Sequence, residues 1–161
     1  MKKAAPKAIH VWLVMMKASQ AISRYAAGDI FKESGLGDSE FRILEALLHR
    51  GPLPVNTLGP KVNLTPGSIS VAVDRLHKRG LVSRKESLND RRVRIVALTA
   101  GGKDVIVPLF QKHASLMKDV FSELSSSELQ QFESALKRIG IKAQNLKNHT
   151  HLQPPEHEGG E

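Results

Sequence analysis

No cysteine occurs anywhere in the 161 residues. That one absence removes disulfide bonds, thiolate metal sites, iron–sulfur clusters, thiol nucleophiles and thiol redox switches. It agrees with a reducing cytoplasm without requiring one. Aromatic residues are also scarce, at 4%. An interior with so few rings must be filled by aliphatic side chains, which suits packed helices. No apolar run approaches the roughly 20 residues needed to span a bilayer. The nearest, Ile9–Met16 behind Lys2, Lys3 and Lys7, has the outline of a secretory leader. His10 interrupts it and Lys17 closes it, so it reads as one face of an amphipathic helix. Enzyme signatures are missing as well: no Gly-rich phosphate loop, no serine elbow, no persuasive pair of carboxylates. His10, His49 and His113 have no local ligand spacing, and His149, His151 and His157 fall in a polar C-terminal stretch. Neither a metal nor a cofactor is expected.

What the chain does have is positive charge. The formal net charge is +8, a balance that favours polyanionic partners. The excess is concentrated. Between Lys61 and Thr99 stand nine basic residues, Lys61, Arg75, Lys78, Arg79, Arg84, Lys85, Arg91, Arg92 and Arg94, against Asp74, Glu86 and Asp90. The length fits one domain, typically about 100–200 residues.

Periodicity predicts a mainly helical chain with a small β element. Ile9, Trp12, Leu13, Met16, Ile22 and Tyr25 mark a first helix over 6–27, with Gly28 as its stop. A connection over 29–37 leads to Asp38, an N-cap candidate with Glu40 in the first turn. Phe41, Leu44, Leu47 and Leu48 form the apolar face of a second helix, ended by Gly51-Pro52. A short helix over Val55–Val62 precedes a tight turn. Thr65 then caps a helix that opens with Pro66 and runs to Arg79, with Gly80 closing it. Leu81–Lys85 and Val93–Leu98 read as the strands of a hairpin, with Glu86–Arg92 as a polar tip. Thr99 caps a further helix reaching Leu124, which Pro108 should kink and Gly101-Gly102 should weaken at its start. Ser125-x-x-Glu128 is a capping box opening a last helix that carries Leu129, Phe132, Leu136 and Ile139. Residues 148–161 are almost devoid of apolar side chains and read as a disordered tail.

The order of helix, short helix, tight turn, capped helix and hairpin is that of a helix-turn-helix with a wing. At about 100° per residue, Ile69, Ala72, Val73 and Leu76 share the inward face of the Pro66–Arg79 helix. Gly67, Ser68, Ser70, Val71, Asp74, Arg75 and Lys78 are left facing out. Small and polar residues allow close approach to base edges, and Val71 can touch a thymine methyl, while Arg75 and Lys78 suit phosphates. A cationic tip at Arg91 and Arg92 fits a minor groove, with Asp90 placed to hold an Arg side chain.

Two stretches carry a family resemblance. One is Leu64-Thr65-Pro66-Gly67-Ser68-Ile69-Ser70, continued by Asp74-Arg75-Leu76 and Arg79-Gly80-Leu81-Val82. The other is Asp90-Arg91-Arg92 followed by Leu98-Thr99-Ala100-Gly101-Gly102. Over about Leu36–Asp104 the chain resembles the MarR family, the multiple-antibiotic-resistance regulators of bacteria and archaea, whose Asp-x-Arg wing signature falls on Asp90 and Arg92. The resemblance implies a cytoplasmic homodimeric transcriptional regulator in which residues 1–161 form one MarR-like domain. Its parts would be a winged DNA-binding lobe over 38–103, a helical dimerisation region from 6–28 and 104–147, and the tail. It also implies base-reading positions at Ser68, Ser70 and Val71, a backbone contact from Arg75 and a minor-groove contact from Arg92. With Thr65, Gly67, Lys78, Arg84, Asp90 and Arg91 these make the expected DNA-binding set. Independently, the terminal helices are rich in apolar residues that the wing region alone cannot cover, and two-fold symmetry matches a pseudo-palindromic operator.

Members of that family place effectors between the dimer helices and the DNA-binding lobe. Here that region would involve Trp12, Met15, Met16, Phe41, Phe110, His113 and Met117, which read from spacing alone as core. Such a pocket would suit a small aromatic or phenolic anion, with His10, His49 or Arg50 as polar contacts. Cysteine-based peroxide sensing is excluded. The expected function is a repressor released by a small molecule. The alternatives are a non-specific architectural DNA binder and a helical protein-interaction module.

Overall fold

The computed structural model describes residues 7–87, 90 and 92–150. The chain divides into two units, residues 1–118 and 119–161.

The first unit opens with α1, Ala8–Ser34. The helix runs through Gly28, the stop expected from the sequence. One glycine costs a helix only about 1 kcal/mol relative to alanine, which its neighbours can offset. The end comes at Gly35, which adopts φ +60°. Arg79 donates to the carbonyls of Ser34, at 3.0 Å, and Gly35, at 2.9 Å. The terminus of α1 is therefore satisfied by a side chain 44 residues further along the chain.

α2 spans Asp38–Arg50 and its N-cap is Gly37, so Asp38 is the first helical residue and not the cap. Glu40 reaches back to accept the Gly37 N–H at 2.7 Å, the side-chain half of a capping box. Asp38 instead pairs with Arg42 at 2.6 Å. Arg42 also donates to the Val62 carbonyl at 3.0 Å, tying α2 to the end of the next helix.

A two-residue strand, β1 (Leu53–Pro54), follows. α3 (Val55–Lys61) and α4 (Pro66–Lys78) come next. Between them Asn63 takes φ +52°, a conformation asparagine tolerates better than most residues. α4 ends in a Schellman arrangement. The Leu81 N–H bonds the Leu76 carbonyl at 3.0 Å and the Gly80 N–H bonds the His77 carbonyl at 2.9 Å, with Gly80 at φ +71°. That reversal sends the chain straight into β2, Val82–Glu86.

β2 pairs antiparallel with β3 (Arg94–Leu98) from Val82↔Leu98 to Glu86↔Arg94. β1 adds to the other edge of β3, giving the order β1-β3-β2. The hairpin matches expectation and β1 was unforeseen. α5 spans Ala100–Val120, ending short of Leu124. It runs through Pro108 without a break. Residues 104 and 108 are both exposed, on the side of the helix where a lost backbone bond costs least. Thr99 caps α5 as expected, its hydroxyl oxygen accepting the Gly102 N–H at 2.9 Å.

The core of this unit is aliphatic. Ile43, Leu44, Leu58, Val73, Leu76, Val82, Val96 and Ile106 are fully buried. Each such side chain contributes roughly 1.5–3 kcal/mol of burial. The cluster holds α2, α3, α4, the hairpin and the start of α5 together.

The second unit is built on α6, Ser126–Thr150. It reaches into the stretch read as tail; residues from 151 on lie outside the described residues. Its capping box is present. Ser125 donates to Glu128 through its hydroxyl at 2.6 Å and its N–H at 2.8 Å. Those two bonds, the hydroxyl first, hold the Glu128 carboxyl below its usual range. Leu129, Phe132, Leu136 and Ile139 are exposed along this helix.

Candidate nucleic-acid interface

The sequence places Thr65 before Pro66, and the structure uses both. Thr65 Oγ1 accepts the Ser68 N–H at 3.2 Å and bonds the Ser68 hydroxyl at 2.9 Å. Ser70 Oγ donates to the Pro66 carbonyl at 3.0 Å. The first turn is thereby fixed by its own hydroxyls. Ile69, Ala72, Val73 and Leu76 are buried, as the wheel required. Gly67, Ser68, Ser70, Val71, Asp74, Arg75 and Lys78 are exposed. α4 displays the set expected to meet DNA.

Arg84 makes a contact within the fold that the sequence did not indicate. It stands on β2 and bonds Asp74 of α4 in a short ion pair. Its guanidinium is engaged within the fold, and its Nε is buried without a partner. The pair joins the outward helix to the hairpin and cancels the one carboxylate on the exposed face of α4. Spacing alone hides this, because the two residues meet only after the chain reverses at Gly80.

At the hairpin, Asp90 accepts the backbone N–H of Arg92 at 2.9 Å. That bond shapes the turn around Arg92. Arg91 lies outside the described residues. Arg94 pairs with Glu86 at 3.1 Å. Arg92 is exposed. Arg92, Ser70, Asp74 and Arg84 line one groove of about 460 Å³ between α4 and the hairpin. Helix and wing therefore meet on one surface, and Arg75 and Lys78 extend it along α4.

The residues expected around an effector separate into two groups. Phe41 meets His113 edge-on with ring centroids 5.3 Å apart, and His49 meets Phe110 at 4.5 Å. Both pairs link α2 to α5, and Phe41 is buried. Trp12 and Met16 are exposed on α1 instead. His49 and Arg50 also line a groove of about 290 Å³ with Arg42, Glu45 and Lys61, a grouping not singled out from the sequence.

Gly67 supplies a clean test of the surface. A Cβ added there meets nothing within 4 Å. Gly67→Ala should leave the fold intact and stabilise α4 by about 0.5 kcal/mol. With the start of α4 as the DNA-facing surface, it should also weaken DNA binding, because the added methyl would intrude on the duplex. Thermal melting and a binding isotherm on the same sample check both signs; unaltered affinity would move the DNA-facing surface away from the start of α4.

Comparison with known proteins gives a consistent picture. A model described as the MarR family matches residues 36–93. The chain is 34% identical over 142 residues to the HTH-type transcriptional regulator MhqR of Bacillus subtilis (strain 168), covering 88% of this chain and 97% of that protein. A mutant MarR from E. coli, solved in complex with operator DNA, superimposes with a TM-score of 0.73 at 21% identity, over 81% of this chain and 94% of that one. Bordetella bronchiseptica BpsR, whose DNA binding is regulated by 6-hydroxynicotinic acid, superimposes with a TM-score of 0.68 at 21% identity, over 81% and 98%. At those identities the two structures establish likeness of fold.

Proposed function

The chain belongs to the MarR family, and from that membership we propose that it is a homodimeric repressor which grips a pseudo-palindromic operator and is released by a small-molecule effector. It is a transcriptional regulator with a DNA-binding fold, in a family and among relatives that are not enzymes. The observation that carries the operator reading is the surface shared by the outward face of α4 and by Arg92. A helix of this width enters the major groove, and an arginine on a projecting tip suits the negative potential of the adjacent minor groove.

The dimer follows from apolar surface that a lone chain leaves wet. Ile9, Trp12 and Leu13 on α1 and Phe132, Leu136 and Ile139 on α6 are all exposed. Burying them against a second copy makes residues 6–28 and 104–147 the dimerisation region, and leaves 38–103 as the DNA-binding lobe. Two-fold symmetry then presents two lobes to two half-sites. For the effector, the Phe41–His113 and His49–Phe110 pairs, with Trp12 and Met16, offer rings and imidazole nitrogens to a small aromatic or phenolic anion. Such a ligand lowers operator affinity only by binding one lobe spacing better than the other. The naming of 6-hydroxynicotinic acid for BpsR supports that class of molecule.

Competition binding at fixed salt tests the proposal. A specific site gains about 10³-fold or more over random DNA. A preference below about tenfold for the chain's own promoter region would favour an architectural binder. Arg92→Ala should keep the melting temperature, weaken operator binding by about tenfold to a hundredfold, and reduce the salt slope by roughly one. Unchanged affinity would detach the wing from the duplex. Sedimentation of a monomer at micromolar concentration would remove the two-lobe arrangement.

A further inference from the structure

We infer that the middle of α4 selects A·T base pairs, with Val71 covering a thymine methyl and the Ser70 hydroxyl accepting from a base amino group. The inference rests on the DNA-binding reading and adds the chemistry of the operator to it.

The Ser70 hydroxyl has one hydrogen, and it is used. It points to the Pro66 carbonyl at 3.0 Å, and a carbonyl can only accept. Lone pairs are what Ser70 presents outward. In the major groove only the adenine N6 and cytosine N4 amino groups can donate to them. Guanine N7 and O6 and thymine O4 are acceptors, and each would face those lone pairs unfavourably.

Val71 stands one residue on and is 51% exposed. On the helical wheel it lies in the most outward stripe, with Gly67, Asp74 and Lys78. A half-exposed branched hydrocarbon on a polar face has one apolar complement in the major groove, the thymine C5-methyl. An A·T pair supplies both the amino group and the methyl.

The usual reader of guanine is absent from this part of the helix. Bidentate contact to guanine O6 and N7 needs an Arg or Lys. Arg75 and Lys78 lie in the second half of α4, and Arg84 is held by Asp74. Thr65 and Ser68 are bonded to each other in the cap. Ser70 and Val71 are left to read the bases nearest the helix centre.

The test starts from a random-sequence duplex library bound by the full-length protein. Wild type should enrich half-sites containing A·T pairs. Each thymine is then replaced in turn by deoxyuridine, which removes only the methyl. One thymine per half-site should lose about fourfold in affinity for wild type, the share of one buried methyl. The Val71→Ala protein should bind deoxyuridine and thymine duplexes equally. Replacing that T·A pair by C·G should weaken wild-type binding, and 5-methylcytosine in place of the cytosine should restore the methyl's share of the loss alone. Ser70→Ala should relax the preference for an amino-bearing base beside it. An enriched motif with no methyl dependence, or with one that survives in Val71→Ala, overturns the inference and leaves the regulator reading standing. No enrichment from the library overturns both.

Discussion

Gly102→Ala should destabilise the DNA-binding lobe by about 3 kcal/mol or more, lowering the melting temperature by roughly 10 °C. The Cβ would overlap the Leu81 carbonyl oxygen and stand 3.0 Å from its carbon and 3.3 Å from Leu98 Cδ2. Two of those atoms are backbone and cannot swing aside. The junction is also held by bonds that a shift would strain. Thr99 donates its N–H to the Leu81 carbonyl at 3.1 Å. Its hydroxyl donates to the Gly80 carbonyl at 2.7 Å and accepts the Gly102 N–H at 2.9 Å. Moving α5 outward to admit one methyl disturbs the cap of α5, the end of α4 and the base of the hairpin together. Gly101→Ala is the matched control, because a Cβ there meets only Thr99 Oγ1, at 3.9 Å. It should be neutral or stabilising by about 0.5 kcal/mol. Circular-dichroism melts of the two variants decide the matter. A Gly102→Ala melt within about 2 °C of wild type would mean that α5 does not approach Leu81 so closely.

Gly102 also shows where reading the sequence stops. The elements that were legible are those fixed by neighbours. Thr65-Pro66 opens α4, Gly80 closes it, and Ser125-x-x-Glu128 opens α6, each through bonds spanning only a few residues. The outward face of α4 followed from period alone, because its four buried residues left no other choice. Features set by distant partners were not legible. α1 passes Gly28 and ends where Arg79 covers its last carbonyls. β1 is two residues long and exists only as a partner for Val96 and Ile95. Gly102 looked like a weakness in a helix start, whereas its missing side chain is what lets α5 meet Leu81. Arg84 reads from the sequence as one more cation, and only the fold brings Asp74 beside it. In each case the local signal was real and a contact from elsewhere in the chain gave it another meaning.

Arg84→Ala should weaken operator binding by about 30- to 100-fold, more than the loss of an ordinary phosphate contact, although the guanidinium is engaged with Asp74 and not free for the duplex. The cause is the carboxylate it leaves behind. Asp74 lies on the exposed face of α4, between Val71 and Lys78, and its side chain is 54% exposed. With Arg84 bound, the pair is close to neutral. Without it, the carboxylate is left uncompensated on the helix face proposed to meet the phosphates, where like-charge juxtaposition would cost several kcal/mol at worst. Asp74→Ala removes the offending group and frees a guanidinium near the duplex, so it should bind DNA as well as wild type or better. The double variant separates the two accounts. If Arg84 acts by neutralising Asp74, removing both restores most of the affinity lost in Arg84→Ala. If Arg84 touches phosphate directly, the double variant stays as weak as the single one and both show a shallower salt dependence. Titrations of the four proteins across a salt series therefore decide whether this arginine serves the DNA or the helix that meets it.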